Sequence, residues 1–220
     1  MEVFEQRAEQ TQREELARRT VATIGVYGFD VASFLAALRA ANVGLLLDVR
    51  QRRGVRGSEY SWANSKRLQL ALAEASIAYE HHRELAPTTE LRQLQYREDE
   101  RLGVGKRSRG ELARSYRERY TAEILDRVEL APLVERLPRE KASALLCVER
   151  DPQACHRSLI AERMAERYGV SLVHLRPASA RTAALPPRRG STGAQRRVDP
   201  ELSAVSAVSA RSSPSIPAIS

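Results

Sequence analysis

Short apolar segments that alternate with amphipathic ones constrain the fold of this chain more than any other feature of its sequence. Five such segments lie between residues 20 and 175: TVATIGVYG from Thr20, GLLLDVR from Gly44, IAYEHH from Ile77, ASALLCVE from Ala142 and VSLVHL from Val170. Continuous apolar runs of this length are typical of strands buried on both faces. We therefore predict an α/β fold with a mostly parallel sheet of about five strands and helices on both faces, a Rossmann-like three-layer arrangement.

Capping signals and apolar spacing predict the intervening helices. The first follows the N-cap residue Asp30, and the second spans residues 64–75. Two or three helices are predicted between Thr88 and Leu137, interrupted by the basic turn GVGKRSRG. The last helix is predicted to start at Asp151 and Pro152 and to run to about Tyr168, where Gly169 closes it.

Composition divides the chain into three parts. Residues 1–19 are predicted to form a polar N-terminal helix or extension, and residues 20–177 the α/β domain. Residues 178–220 are rich in Ser, Pro and Arg and have few large apolar side chains, so we predict a disordered tail. No apolar run approaches the roughly 20 residues that a membrane-spanning helix needs, and the N-terminus lacks the apolar core of a secretory signal. A cytoplasmic protein with no membrane partner is the expectation.

The charge and cysteine content suggest which partners to expect. The net charge is +8, and half of it falls in the tail, where six arginines face two acidic residues. A basic chain favours anionic ligands such as a nucleotide, phosphate or nucleic acid, although an arginine-rich proteome would give the same balance. The two cysteines, Cys147 and Cys155, are expected to be thiols.

Unusual polar residues follow the predicted strands. Because ligands bind at the carboxyl ends of parallel strands, we expect these residues to meet in one crevice. They are Asp48 and Arg50 after the second strand, His81 and His82 after the third, Cys147 and Glu149 after the fourth, and Cys155, His156 and Arg157 in the next helix. A helix N-terminus can lower the pKa of a thiol or bind an anion. Cys147 within an apolar strand could equally be a packing residue, and Asp48 with Arg50 a structural pair.

Established motifs are not matched. A phosphatase-type loop needs arginine six residues after its cysteine, but those positions hold Gln153 and Ala161. There is no Walker loop and no GxGxxG motif, and the spacing of eight between the cysteines is unlike a structural zinc site.

Four segments, TIGVYG, LLLDVR, IAYEHHREL and CVERDPQACHRSLIAE, resemble in this order the signatures of the family of domain of unknown function 488 (DUF488). The resemblance covers about residues 20–177 and implies an α/β domain with no settled activity. It makes site candidates of Asp48, Arg50, His81, Cys147, Glu149, Cys155, His156 and Arg157. Val26 and Tyr27 replace a polar pair of the family, Ala86 and Pro87 replace a glycine pair, and a longer loop, QRRGVRGSEYSW, indicates a long-loop subfamily with its own ligand.

Three functions remain open. The first is an enzyme acting on a phosphorylated or nucleotide-like substrate, with Cys155 or Cys147 as nucleophile and His156 or His81 as acid or base. Glu149 and Asp48 complete its catalytic candidates, and Arg50, Arg157, Arg52 and Arg53 its substrate-binding ones. The second is a non-catalytic module that binds nucleotide or nucleic acid through Arg50, Arg52, Arg53, Arg56 and Arg157. The third is a small metal-binding protein that uses Cys147, Cys155 and His156. The sequence identifies no cofactor and no oligomeric state.

Overall fold

The structure, a computed structural model, describes residues 7, 10–11 and 14–178. Within the predicted N-terminal extension, residues 14–17 are helical. The predicted disordered tail lies outside the described residues except for Ala178. None of the helices in the described ranges has both the length and the apolar character needed to cross a membrane.

The five predicted strands form one parallel sheet, which confirms the predicted fold class. Its order is β3-β2-β4-β1-β5. Every residue of β4 is buried, as expected for a central strand. The strands are β1 (Thr20–Gly25), β2 (Val43–Asp48), β3 (Ala78–His81), β4 (Ala142–Cys147) and β5 (Ser171–Leu175).

Six α-helices connect these strands in the described part of the chain, with three short 3₁₀ segments and one π-helical turn. The helices are α1 (Val31–Ala40), α2 (Ser65–Glu74), α3 (Thr89–Arg101), α4 (Arg114–Tyr120), α5 (Ala131–Arg136) and α6 (His156–Tyr168). The 3₁₀ segments are Ser58–Ala63, Arg83–Leu85 and Pro152–Ala154, and the π turn is Thr121–Leu125.

Local signals place the ends of these helices. The Asp30 carboxylate accepts a hydrogen bond from the Ser33 amide at 2.8 Å, so it caps α1 as predicted. Gly169 ends α6 with a φ of 71°, in the left-handed region that glycine tolerates.

The last helix starts later than predicted. Pro152–Ala154 form a 3₁₀ turn, and Cys155 has an extended backbone with φ −145°. The Cys155 amide donates to the Pro152 carbonyl, an i to i+3 bond that ends the turn, and the Asp151 side chain caps nothing. Cys155 is therefore the N-cap residue of α6, and the helix proper begins at His156.

The core is mostly aliphatic and surrounds β4. Phe34 and Leu38 of α1 and Leu68 and Leu72 of α2 are buried, and in each helix the two residues are four apart and so share one face. Right-handed crossovers place α1 and α2 on one face of the sheet and α3–α6 on the other. The chain thus leaves β4 toward the face opposite to that used by its neighbours β1 and β2, and this opens a crevice at the carboxyl end of β4.

Candidate functional site

Two thiols and an imidazole meet at the carboxyl end of β4. Cys147 is the last residue of β4, and Cys155 and His156 form the beginning of α6. Nδ1 of His156 lies 3.8 Å from Sγ of Cys147 and 3.8 Å from Sγ of Cys155. The three ligand atoms lie within 4.8 Å of one another, and all three side chains are buried. Residues from two separate elements thus form one compact Cys-Cys-His cluster.

Hydrogen bonds orient this cluster. Nε2 of His156 lies 3.0 Å from the Val49 carbonyl, which can only accept, so Nε2 carries a proton. This tautomer directs Nδ1 toward the two sulfurs. The Cys147 thiol donates to Oε2 of Glu149 at 3.2 Å. The cluster therefore includes a carboxylate that can take a proton from Cys147.

The environment separates the acidities of the two thiols. Burial disfavours the Cys155 thiolate, but the Cys147 thiol, the Arg157 guanidinium and His156 stabilise it and lower the Cys155 pKa well below its usual value. Burial and the neighbouring Cys155 raise the pKa of Cys147 well above the usual value. Burial also opposes the imidazolium, but the Cys155 thiolate outweighs it and raises the pKa of His156. The arrangement favours a Cys155 thiolate paired with a His156 imidazolium.

The loop between α3 and α4 places two cationic side chains beside Glu149. Nζ of Lys106 lies 3.5 Å from Oε1 of Glu149, and Nη1 of Arg109 lies 4.0 Å from the same atom. Arg109 is buried and forms a two-pronged ion pair with Asp99 on α3. Burial works against the charge of Lys106, yet the carboxylate of Glu149 raises its pKa. This loop supplies one wall of the site.

A cleft of about 650 Å³ opens above the cluster, and Cys147, Cys155 and His156 line it. Among its described lining residues Glu149 is the single acidic one, whereas six are basic: Arg50, Arg52, Arg56, Arg92, Lys106 and Arg109. Lys106 and Arg109 are paired with carboxylates, but the described residues provide no ion pair for Arg52, Arg56 or Arg92. The cleft therefore has uncompensated positive charge, which favours an anionic occupant.

Aromatic side chains complete the rim of the cleft. Tyr27 and Tyr96 line it, and 44% of Tyr96 is exposed. Arg107 lies over the rings of Tyr27 and Tyr60, 5.3 Å from each centroid. These cation–π contacts join the loop that carries Lys106 to the segment after β1, through Tyr27, and to the long loop after β2, through Tyr60.

Asp48, Arg50 and His81 lie at the same edge of the sheet as Cys147, as predicted, but form a separate network. The buried Arg50 guanidinium donates to both Asp48 oxygens at 2.8 and 2.7 Å and to the Ala63 carbonyl at 3.0 Å. The Tyr79 hydroxyl also donates to Asp48, at 2.7 Å. Nε2 of His81 lies 2.9 Å from the Arg50 carbonyl. Neither Asp48 nor His81 lines the cleft.

Two of the predicted anion-binding arginines, Arg157 and Arg53, are not among the residues that line the cleft. Arg157 is completely buried and donates to the carbonyls of Glu149 at 2.7 Å and Arg150 at 3.0 Å. Arg53 is exposed and lies beside the Tyr79 hydroxyl. Of the four predicted substrate-binding arginines, Arg50 and Arg52 line the cleft.

Sequence reasoning missed the wall that α3 and its following loop provide. Arg92, Tyr96, Lys106 and Arg109 were not predicted to be site residues. The one available signal was the glycine-rich basic turn GVGKRSRG, which holds Lys106 and Arg109. This turn follows a helix rather than a strand, so the rule that ligands bind at the carboxyl ends of parallel strands does not predict it as part of the site.

Comparison with known proteins gives one match. The model of a family described as "Domain of unknown function DUF488" matches residues 30–164, more than half of the chain. No curated protein and no solved structure matches the chain. The matched range includes β2, β3, β4 and the whole Cys-Cys-His cluster.

Proposed function

We propose that this chain, which belongs to the DUF488 family, is an enzyme that attacks a phosphorylated or nucleotide-like substrate with the Cys155 thiolate. One observation carries the proposal: a thiol and an imidazole 3.8 Å apart form the floor of a cleft lined by six basic side chains and one acidic one. A packing thiol needs neither the imidazole nor the carboxylate. An anion-binding module needs the cations but not the thiols.

Cys155, His156 and Glu149 have different roles in the proposed reaction. The Cys155 sulfur attacks the electrophilic atom of the substrate and forms a covalent thio-intermediate, while the bond to the leaving group breaks. The leaving group takes the Nδ1 proton of His156. Water then attacks the intermediate, Glu149 accepts the proton of that water, and Cys155 departs as thiolate. Transfer of the Glu149 proton to His156 restores the site, and the sum of both steps is hydrolysis of the substrate.

Substrate binding is assigned to the arginines that have no carboxylate partner. Arg52 and Arg56 lie on the long loop after β2, and Arg92 lies on α3, so they approach the anion from two sides of the cleft. Arg50 and Arg157 donate to protein acceptors, and we assign them the role of positioning the strand-end loops. Asp48 and His81 act with Arg50 in that role.

A metal centre is the second candidate function. The compact arrangement of two sulfurs and Nδ1 of His156 favours it, because zinc sites use these ligand types. Oε2 of Glu149, 3.2 Å from Sγ of Cys147, is a further candidate ligand atom. Native mass spectrometry before and after chelator treatment separates this candidate from the thiolate enzyme, since only a metal centre loses mass with the chelator.

Protection from alkylation tests the proposed function without a known substrate. If the cleft binds anions above a reactive Cys155, inorganic phosphate or adenosine monophosphate should slow the reaction of Cys155 with iodoacetamide in a saturable way. Arg92→Gln should weaken this protection, whereas Arg39→Gln, an exposed arginine on α1, should leave it unchanged. If Cys155 is alkylated at the same rate with and without either anion, this result would contradict the proposal of an anionic substrate. If neither cysteine reacts in chelator-treated protein, the non-catalytic anion-binding module explains the site better than the enzyme does.

A further inference from the structure

The proposed reaction uses only one of the two thiols at the floor of the cleft. Cys147 is buried, donates to Glu149, and lies within 4.8 Å of Cys155. We propose that Cys147 and Cys155 form a peroxide-reactive pair that closes reversibly into an intramolecular disulfide. This site goes beyond the proposed hydrolytic function and would exist whatever the substrate of the cleft is.

The positions of the two sulfurs fit disulfide formation. A disulfide bond needs its sulfurs about 2 Å apart, so each side chain must rotate toward the other. Cys155 lies between a 3₁₀ turn and α6 with an extended backbone, and its amide makes one bond, to the Pro152 carbonyl at the end of the turn. Cys147 is at the end of its strand rather than in the middle. Both cysteines line the cleft, so a molecule as small as hydrogen peroxide can reach them.

The chemistry balances with hydrogen peroxide as oxidant. The deprotonated Cys155 sulfur attacks one peroxide oxygen, the O–O bond breaks, and the departing hydroxide takes the Nδ1 proton of His156 to become water. Cys155 is then a sulfenic acid. Cys147 gives its proton to Glu149, and its sulfur attacks the Cys155 sulfur. The S–O bond breaks, and the second hydroxide takes the proton from Glu149. Two thiols and one peroxide thus give one disulfide and two waters.

Formation of this disulfide would switch off and protect the site at the same time. The disulfide removes the nucleophile of the proposed reaction, and it prevents oxidation of Cys155 to the sulfinic acid, which thiols do not reverse. A dithiol reductant restores both thiols.

Peptide mapping tests the proposal with the full chain. Chelator-treated protein is exposed to hydrogen peroxide, free thiols are blocked with N-ethylmaleimide, and the protein is digested with trypsin without reduction. Cleavage after Lys141, Arg150 and Arg157 puts the cysteines on separate peptides, ASALLCVER and DPQACHR. We expect these two peptides linked by a disulfide, with full recovery of both thiols after dithiothreitol.

A matched variant, Cys147→Ser, provides the second part of the test. In Cys147→Ser the sulfenic acid on Cys155 has no resolving thiol, so dimedone should label Cys155 and excess peroxide should convert it to sulfinic acid. Linked peptides in the wild type and dimedone labelling in the variant would establish the pair. Sulfinic acid on Cys155 without linked peptides in the wild type, or two unmodified thiols after peroxide, would overturn the proposal. Neither result depends on anion protection of Cys155, so failure here is distinguishable from failure of the proposed function.

Discussion

The Arg157 guanidinium donates to the Glu149 carbonyl at 2.7 Å and thereby joins the first turn of α6 to the loop that follows β4. A second bond from Arg157 reaches the Arg150 carbonyl at 3.0 Å. The helix carries His156, and the loop carries the carboxylate that receives the Cys147 proton. One buried arginine therefore fixes the two halves of the cluster relative to each other.

Removal of this guanidinium should affect both stability and thiol reactivity. Arg157→Met leaves the buried Glu149 carbonyl without its donor, and we expect a loss of about 1–3 kcal/mol in the free energy of unfolding. It also removes a charge that lowers the Cys155 pKa, so alkylation of Cys155 should need a higher pH. Urea unfolding and the pH profile of alkylation measure the two effects. Arg167→Met, on the exposed side of the same helix, is the control and should change neither.

Gly25 should be intolerant of any side chain. A Cβ atom at this position would lie 1.8 Å from the Glu149 carbonyl oxygen, so the backbone of the site loop would have to move. Gly25→Ala should lower the free energy of unfolding by about 1–3 kcal/mol. It should also slow Cys155 alkylation, because Glu149 and the loop shift together. Gly110→Ala, whose Cβ would meet no atom within 4 Å, is the matched control. Equal stability of the two variants would contradict the close packing of this loop.

The Asp48–Arg50 pair should be structural rather than ligand-binding. Arg50→Met leaves the buried Asp48 carboxylate with only the Tyr79 hydroxyl and the Arg50 amide as donors. Breaking one side of a buried ion pair typically costs about 3–5 kcal/mol, and we expect that loss in urea unfolding. Arg52→Met, an exposed change on the same loop, should leave stability within about 0.5 kcal/mol of the wild type. A stable Arg50→Met protein with impaired phosphate binding would restore Arg50 to the substrate-binding residues.

His156 should control the pH at which Cys155 reacts. The thiolate fraction rises with pH, so a lowered Cys155 pKa moves the rise of the alkylation rate to lower pH. His156→Gln removes the imidazolium, and the rate near neutral pH should fall about tenfold. His82→Gln is the control, because His82 bonds to Glu80 and Glu84 and lies outside the cleft. An unchanged pH profile in His156→Gln would rule out the thiolate–imidazolium pair.

Much of the fold could be predicted from the sequence because the apolar pattern of each strand lies within one short segment of the chain. Runs such as LLLDV and ALLCV have the apolar continuity of central parallel strands, and the structure has them as β2 and β4. The strand-end rule then placed Asp48, His81 and Cys147 at one edge of the sheet, as the parallel pairing confirms. These predictions needed only periodicity and the handedness of crossovers.

The other wall of the site was not predictable in the same way. Lys106 and Arg109 reach Glu149 because Asp99 holds Arg109 from α3, a contact between residues ten apart with no periodic signature. The roles of Arg50 and Arg157 likewise depend on which carbonyl or carboxylate each guanidinium meets. The sequence marks an arginine after a strand, but only the packing decides whether it points into the cleft or into the core.

The reactivity of Cys155 near neutral pH tests the central proposal most directly. Chelator-treated protein is pulsed with labelled iodoacetamide at about pH 6.5, and modification of each cysteine is followed on its own tryptic peptide. Since free cysteine has a pKa of about 8.5, we predict that Cys155 is modified faster than glutathione in the same tube, with Cys147 modified slowly. Cys155 that reacts more slowly than glutathione, or no faster than Cys147, would contradict a thiolate nucleophile at this site.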